Sequence, residues 1–146
     1  MGTFYFFLFQ AHSGWRWVAL LFLVVTTIKV VIGWAANQNW SNLDSRLVSF
    51  TNIAVSIQVL LGIFLYVMFL TQGAGITGRS IGAISGGHLV PALLAVAGTG
   101  FAVGRSRRAQ NSRDKFKFAS IGLIIADLMV YGALATVGGI FAMATS

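Results

Sequence analysis

Four long apolar stretches alternate with three short polar ones along the chain. The first runs from about Ser13 to Ala36, and the aromatic run Phe4–Phe9 can extend it backwards; the others are Leu47–Leu70, about Ile84–Gly104 and Phe118–Met143. Each holds 21 to 26 residues. At ~1.5 Å per helical residue, any of them crosses a hydrocarbon core ~30 Å thick. The connections Asn37–Arg46, Thr71–Ala83 and Arg105–Lys117 carry most of the polar residues. This pattern predicts an all-α integral membrane protein, a four-transmembrane-helix bundle forming one domain over residues 1–146.

Composition agrees. Hydrophobic residues make up 57% of the chain and charged residues 9%, where soluble chains carry about 25% charged residues. A water-soluble domain of this length could not hide so much apolar surface, which excludes a soluble enzyme. The absence of cysteine removes disulfides, thiolate nucleophiles, iron–sulfur clusters and covalently attached haem. Met1–Ala11 has no basic residue and leads straight into the first span, so a cleavable signal peptide is not expected.

The net charge of +7 is a topology signal rather than a nucleic-acid footprint. Arg46, Arg105, Arg107, Arg108, Arg113, Lys115 and Lys117 fall in the first and third connections, whereas the second holds only Arg79. The positive-inside rule then places those two connections in the cytoplasm and both termini outside, in the periplasm if the membrane is the bacterial inner one. Trp15 and Trp17 fall near one interface, and Trp34 and Trp40 near the other. Beyond setting topology, Arg105, Arg107, Arg108, Arg113, Lys115 and Lys117 can meet anionic lipid headgroups.

Glycine is concentrated in and just after the second connection, at Gly73, Gly75, Gly78, Gly82, Gly86 and Gly87. It is no phosphate-binding loop, since it lacks the GK[ST] ending and follows a helix. Gly82–Gly86 and Gly100–Gly104 have the spacing that lets helix backbones touch.

With charge so scarce, each ionisable group at membrane depth is a candidate for function: His12, Arg16, Lys29, His88 and Asp127, joined by the uncharged Gln58 and Tyr66. His12 and Arg16 share a helix face. Counted from Ala36 and Gly104, the two histidines differ in height by roughly 12 Å. If they converge, two imidazoles can clamp a haem iron while Arg16 pairs with a propionate. The same groups, with Tyr66, can instead hold a quinone carbonyl. The plainer alternative has His12 capping the first helix at headgroup level and His88 satisfying loop backbone. Lys29 and Asp127 lie at similar depth nearer the basic end, and an ion pair between them is expected. Gln58, Gly62 and Tyr66 form one stripe on the second helix, and Asp127, Tyr131, Ala135 and Gly138 another on the fourth.

The chain also resembles the small four-helix bacterial membrane proteins loosely labelled cytochrome b-like. The likeness begins at His12-Ser13-Gly14-Trp15-Arg16-Trp17, similar to an H-S-x-x-R-W opening. It continues through Lys29, Gly33-Trp34, Leu43-Asp44, Leu47, Gln58-Val59-Leu60-Leu61-Gly62 and Leu65-Tyr66 to His88 and Gly104-Arg105-Ser106. The third-helix segment departs from the family's Glu-His-Pro, reading Gly87-His88-Leu89-Val90-Pro91. The resemblance implies a four-helix bundle with one b-type haem between His12 and His88 and a place in membrane electron transfer. With two histidines, one chain can supply ligands for one bis-histidine haem.

Three functions follow as expectations. The first is a subunit of a respiratory or photosynthetic electron-transfer complex, binding one haem b or flanking a quinone site, at His12, His88, Arg16 and Tyr66. The second is a haem-free accessory subunit that packs lipids and larger partners. The third is a small transporter or proton channel centred on Lys29 and Asp127. No catalytic residue is assigned, because no base, nucleophile and orienting group can be assembled into a hydrolase.

Overall fold

A computed structural model describes residues 2–72, 80–139 and 141. The described residues form four helices: α1 (Gly2–Ala35), α2 (Asn42–Gln72), α3 (Val90–Arg108) and α4 (Ser112–Ala135). A π-helical segment, Ala83–Leu89, leads directly into α3. Segments Gly2–Ala35, Asn42–Thr71, Ala83–Arg108 and Ser112–Ala135 are each long and apolar enough to cross a membrane. The chain is therefore a multi-pass membrane protein built as a four-helix bundle. Each α-helix packs on its sequence neighbour, and α1 closes the ring against α4.

Two helices begin earlier than apolarity alone predicts, because polar caps start them. Ser41 Oγ accepts from the Asp44 backbone N–H at 3.3 Å, and Asp44 Oδ2 accepts from the Ser41 N–H at 2.9 Å. This reciprocal capping satisfies donors that a helix start otherwise leaves open. Asn111 repeats it: Asn111 Oδ1 accepts from the Asp114 N–H at 2.8 Å, and Asn111 Nδ2 donates to Asp114 Oδ2 at 2.9 Å. Arg113, Lys115 and Lys117 thus belong to the first turns of α4, and Arg105, Arg107 and Arg108 to the last turn of α3. The polar connection expected over 105–117 shrinks to a few residues. α4 ends at Ala135, earlier than expected, where Gly138 and Gly139 take positive φ angles of 102° and 94° and the Gly139 N–H closes on Leu134 O at 2.8 Å. Gly73, Gly75, Gly78 and Arg79 of the second connection, and residues 140, 142 and 143 of the last expected span, lie outside the described residues.

The bundle is apolar outside and small or polar within. Leu21, Val25, Ile28, Leu60, Phe64, Leu94, Ile124 and Leu128 are exposed, a surface that water would not tolerate over such an area. Inside, Thr26 and Thr51 share a 2.7 Å hydrogen bond, and Thr99 donates to Asn52 Oδ1 at 2.8 Å. Interhelical hydrogen bonds and close packing are what hold helices together in lipid, where apolar burial offers little advantage.

α3 and α4 approach each other closely at backbone level. A Cβ on Gly98 would lie 2.7 Å from Gly122 O, and one on Gly122 would lie 2.5 Å from Gly98 O. The glycine pairs expected to serve this purpose do not. A Cβ on Gly82, Gly86 or Gly104 would meet nothing within 4 Å, and one on Gly100 would only reach Asn52 Oδ1 at 3.9 Å. Their spacing is right, but they sit on faces that no neighbouring helix covers closely.

The basic end of the bundle is tied together by side chains. The Trp40 N–H donates to Ser112 Oγ at 2.9 Å, and Arg113 donates to Asn37 Oδ1 at 3.2 Å, so the first connection meets the start of α4. Trp40 packs edge-on against the fully buried Phe116 with ring centroids 4.8 Å apart. Gly33 leaves the space that the Phe116 ring fills.

Candidate functional site

A cavity of about 190 Å³ opens between the helices towards the end opposite the basic connections. Its polar lining comes from Tyr5, His12, Ser13 and Arg16 of α1, Gln58 and Tyr66 of α2, and His88 of the π-helical segment. Apolar side chains such as Leu23, Val59, Phe69 and Val130 complete it. All four residues expected to form a site, His12, Arg16, Tyr66 and His88, line this one cavity.

The histidines converge: their ring centroids are 6.2 Å apart and the planes meet edge to face at 73°. About half of the height difference inferred by counting residues is removed by the true helix ends. α3 continues four residues past Gly104 to Arg108, which lifts His88 by about 6 Å relative to that count.

His88 is positioned by helix ends. The last carbonyls of a helix lack intrahelical partners, and in α4 the Val137 N–H turns to Leu134 O instead of Ala133 O. Ala133 O accepts instead from His88 Nδ1 at 2.8 Å. A carbonyl can only accept, so Nδ1 is the donor, and in the neutral ring Nε2 then holds the lone pair. The plainer expectation had His88 satisfying loop backbone; its Nδ1 partner is instead a carbonyl in the last turn of α4, and its other nitrogen is not used by this bond.

The irregular backbone before α3 coincides with a proline and with a contact from the end of α4. Val90 donates its N–H to Ser85 O, one residue further back than in an α-helix. Pro91 has no N–H to offer Gly87 O, and the Thr136 hydroxyl approaches that carbonyl at 2.9 Å. A Cβ on Gly87 would come within 2.6 Å of Thr136 Cγ2, so glycine is required for this contact. The displaced proline noted in the sequence thus coincides with a π-helical segment that carries His88.

His12 rests against α2. Gln58 Nε2 lies 3.3 Å from both of its ring nitrogens, and a Cβ on Gly62 would stand 3.1 Å from its Cε1. The second-helix stripe of Gln58, Gly62 and Tyr66 therefore does face the cavity. Gln58 Oε1 is buried without a hydrogen-bond partner. Tyr66 shares a 2.7 Å hydrogen bond with Ser85, a residue the sequence reading passed over. Its signal was modest: a hydroxyl three residues before His88 on the same chain segment. Arg16 is 8% exposed, with its guanidinium 5.5 Å from the Trp17 ring centre.

The expected pair of Lys29 with Asp127 is not formed. Lys29 Nζ instead contacts Asp44 Oδ1 at 2.8 Å, where the Asp44 side chain is 1% exposed. Asp127 Oδ2 accepts from Thr27 at 2.7 Å. Matching depth was not sufficient, because Lys29 and its neighbour Thr27 point in different directions around α1. The fourth-helix stripe also fails as an interior feature, since Tyr131 is 76% exposed. Among the described residues, no group of three or more His, Cys, Asp or Glu side chains could hold a metal ion. The cavity offers two imidazoles, not a carboxylate or thiolate cage.

No family model matches the chain, and no curated protein or solved structure matches it either. The fold and the cavity define a class, a four-helix membrane protein with a paired-histidine pocket, and function is argued from that pocket.

Proposed function

We propose that this chain is a cytochrome b-like membrane subunit that holds one haem b between His12 and His88 and serves in an electron-transfer complex of the bacterial inner membrane. The observation that carries the reading is the 6.2 Å separation of the two imidazole centroids. Two imidazoles sharing one metal at ~2.0 Å through nitrogen have ring centroids at most roughly 6 Å apart, and this spacing lies at that limit.

The surroundings suit such a donor set. The Nδ1–H of His88 is committed to Ala133 O, the arrangement that fixes tautomer and leaves Nε2 for a metal. Gly62 keeps α2 clear of the His12 ring, where a Cβ would crowd it. Arg16 brings a permanent cation to the same cavity, suited to a propionate. When bound, haem would supply one-electron transfer within the membrane. The protein's own part is to hold the two imidazoles, exclude water with apolar walls and offset propionate charge with Arg16.

The size of the cavity favours a second reading. About 190 Å³ is not far above the ~150 Å³ cavity that accommodates one benzene ring. A quinone headgroup is of a size for that space, with the Gln58 Nε2 hydrogens and the one hydrogen left over on the Tyr66–Ser85 hydroxyl pair as donors to its carbonyl. Haem quantified per purified chain separates the two. Stoichiometric haem supports the first reading; quinone extracted from haem-free protein supports the second. A chain that carries neither matches the accessory-subunit alternative and ends both.

A further inference from the structure

A second, smaller cavity of about 130 Å³ opens at the basic end of the bundle, between the first turns of α2 and α4 and the last turn of α3. Ser45 and Ser49 of α2, Ser106 and Arg107 of α3 and Lys115 of α4 line it. Ser45 and Ser49 are four residues apart, so both hydroxyls project from one face.

The charge in this cavity is one-sided. Arg107 and Lys115 bring two cations, and no carboxylate is among the lining residues. The two acids at this end are otherwise engaged: Asp44 with Lys29 and Ser41, and Asp114 with Asn111. Among the described residues, neither Arg107 nor Lys115 has an ion-pair partner.

The hydrogens are one-sided too. Ser45 Oγ accepts from Trp40 Nε1 at 2.7 Å, and Ser49 Oγ accepts from Arg107 Nη2 at 3.1 Å. Each hydroxyl therefore still has its own hydrogen to donate. Ser106 donates to Val103 O at 3.2 Å and serves as wall rather than donor. Two hydroxyls, a guanidinium and an ammonium thus converge on a space that lacks an acceptor of matching charge.

We propose that this cavity binds a phosphate group, and that the phosphodiester of an anionic glycerophospholipid is its source. The cavity lies where the apolar spans give way to the charged connections, which is headgroup depth for a bundle of this kind. Arg107 supplies the planar fork that suits phosphate oxygens, and Lys115 a mobile point charge. The inference is independent of what the histidine cavity holds.

Native mass spectrometry of the full chain in detergent tests it, with dioleoylphosphatidylglycerol as probe, dioleoylphosphatidylcholine as lipid control and inorganic phosphate as a separate arm. Wild type is expected to retain phosphatidylglycerol, and Arg107→Gln or Lys115→Gln to weaken retention by about tenfold each. The double variant Ser45→Ala/Ser49→Ala keeps every charge and is expected to weaken it severalfold. Arg105→Gln and Arg108→Gln, at the same end but outside the lining, are expected to change it little. Retention of inorganic phosphate at comparable concentration, lost in the same variants, would keep the phosphate site but overturn the lipid as its source. Equal losses from Arg105→Gln and Arg107→Gln, or retention untouched by the serine double variant, would show diffuse attraction and overturn the proposal.

Discussion

His88 donates its Nδ1–H to the carbonyl oxygen of Ala133 at 2.8 Å, across the interface between the π-helical segment and the last turn of α4. That oxygen is open because the α4 backbone turns away before closing on it. Thr136, 2.8 Å from the same oxygen, also reaches Gly87 O, the carbonyl that Pro91 cannot serve. The end of one helix thereby sets the ring orientation of a residue on another.

Removing the Thr136 hydroxyl should loosen this arrangement. Thr136→Val leaves Gly87 O without that donor and is expected to cost about 1 kcal/mol of stability. Unfolding in mixed micelles measures the cost. If His88 binds a cofactor, the same variant should also broaden or shift its visible spectrum while Thr136→Ser restores it.

The Gly98–Gly122 contact should be intolerant of side chains. Gly98→Ala and Gly122→Ala force α3 and α4 apart at backbone level and are each expected to cost roughly 1–3 kcal/mol. Gly104→Ala meets open space and should be neutral or stabilising by up to about 1 kcal/mol. Comparable losses at all three positions would contradict the packing described.

A double-mutant cycle distinguishes the partners of Lys29. Lys29→Met with Asp44→Asn should show a coupling of about 1–3 kcal/mol, held below that of a fully buried pair because Lys29 is 36% exposed. Lys29→Met with Asp127→Asn should be additive to within ~0.5 kcal/mol.

These comparisons mark what the sequence makes legible. Apolar run length and the placement of Arg105, Arg107, Arg108, Arg113, Lys115 and Lys117 suffice for four spans and for the basic end. His12, Arg16, Tyr66 and His88 stood out because polar groups are rare at that depth, and they do share one cavity. Direction around a helix axis was harder. Lys29 and Asp127 agree in depth, yet the nearby Thr27 faces Asp127 while Lys29 turns to Asp44. Glycine spacing likewise said nothing about which face a neighbour covers. Helix starts lie outside the apolar runs because Ser41 and Asn111 cap before apolarity begins. The π-helical segment depends on Pro91, Gly87 and a hydroxyl from another helix acting together, and no single local signal shows that.

Gly62 should be a sensitive reporter on His12. Gly62→Ala asks the ring to move by a few tenths of an ångström from a Cβ at 3.1 Å, and Gly62→Leu displaces it altogether. Helix content by circular dichroism should be unchanged in both. Cofactor content should fall slightly in the first and be lost in the second; full retention in Gly62→Leu would remove His12 from the site.

The most direct test is the reduced-minus-oxidised visible spectrum of the purified chain, with haem counted per polypeptide by pyridine extraction. One haem b per chain is expected, with an α band that disappears in both His12→Ala and His88→Ala. No haem in protein made with ample haem supply, or a band that survives both substitutions, would contradict the claim that these two histidines hold it.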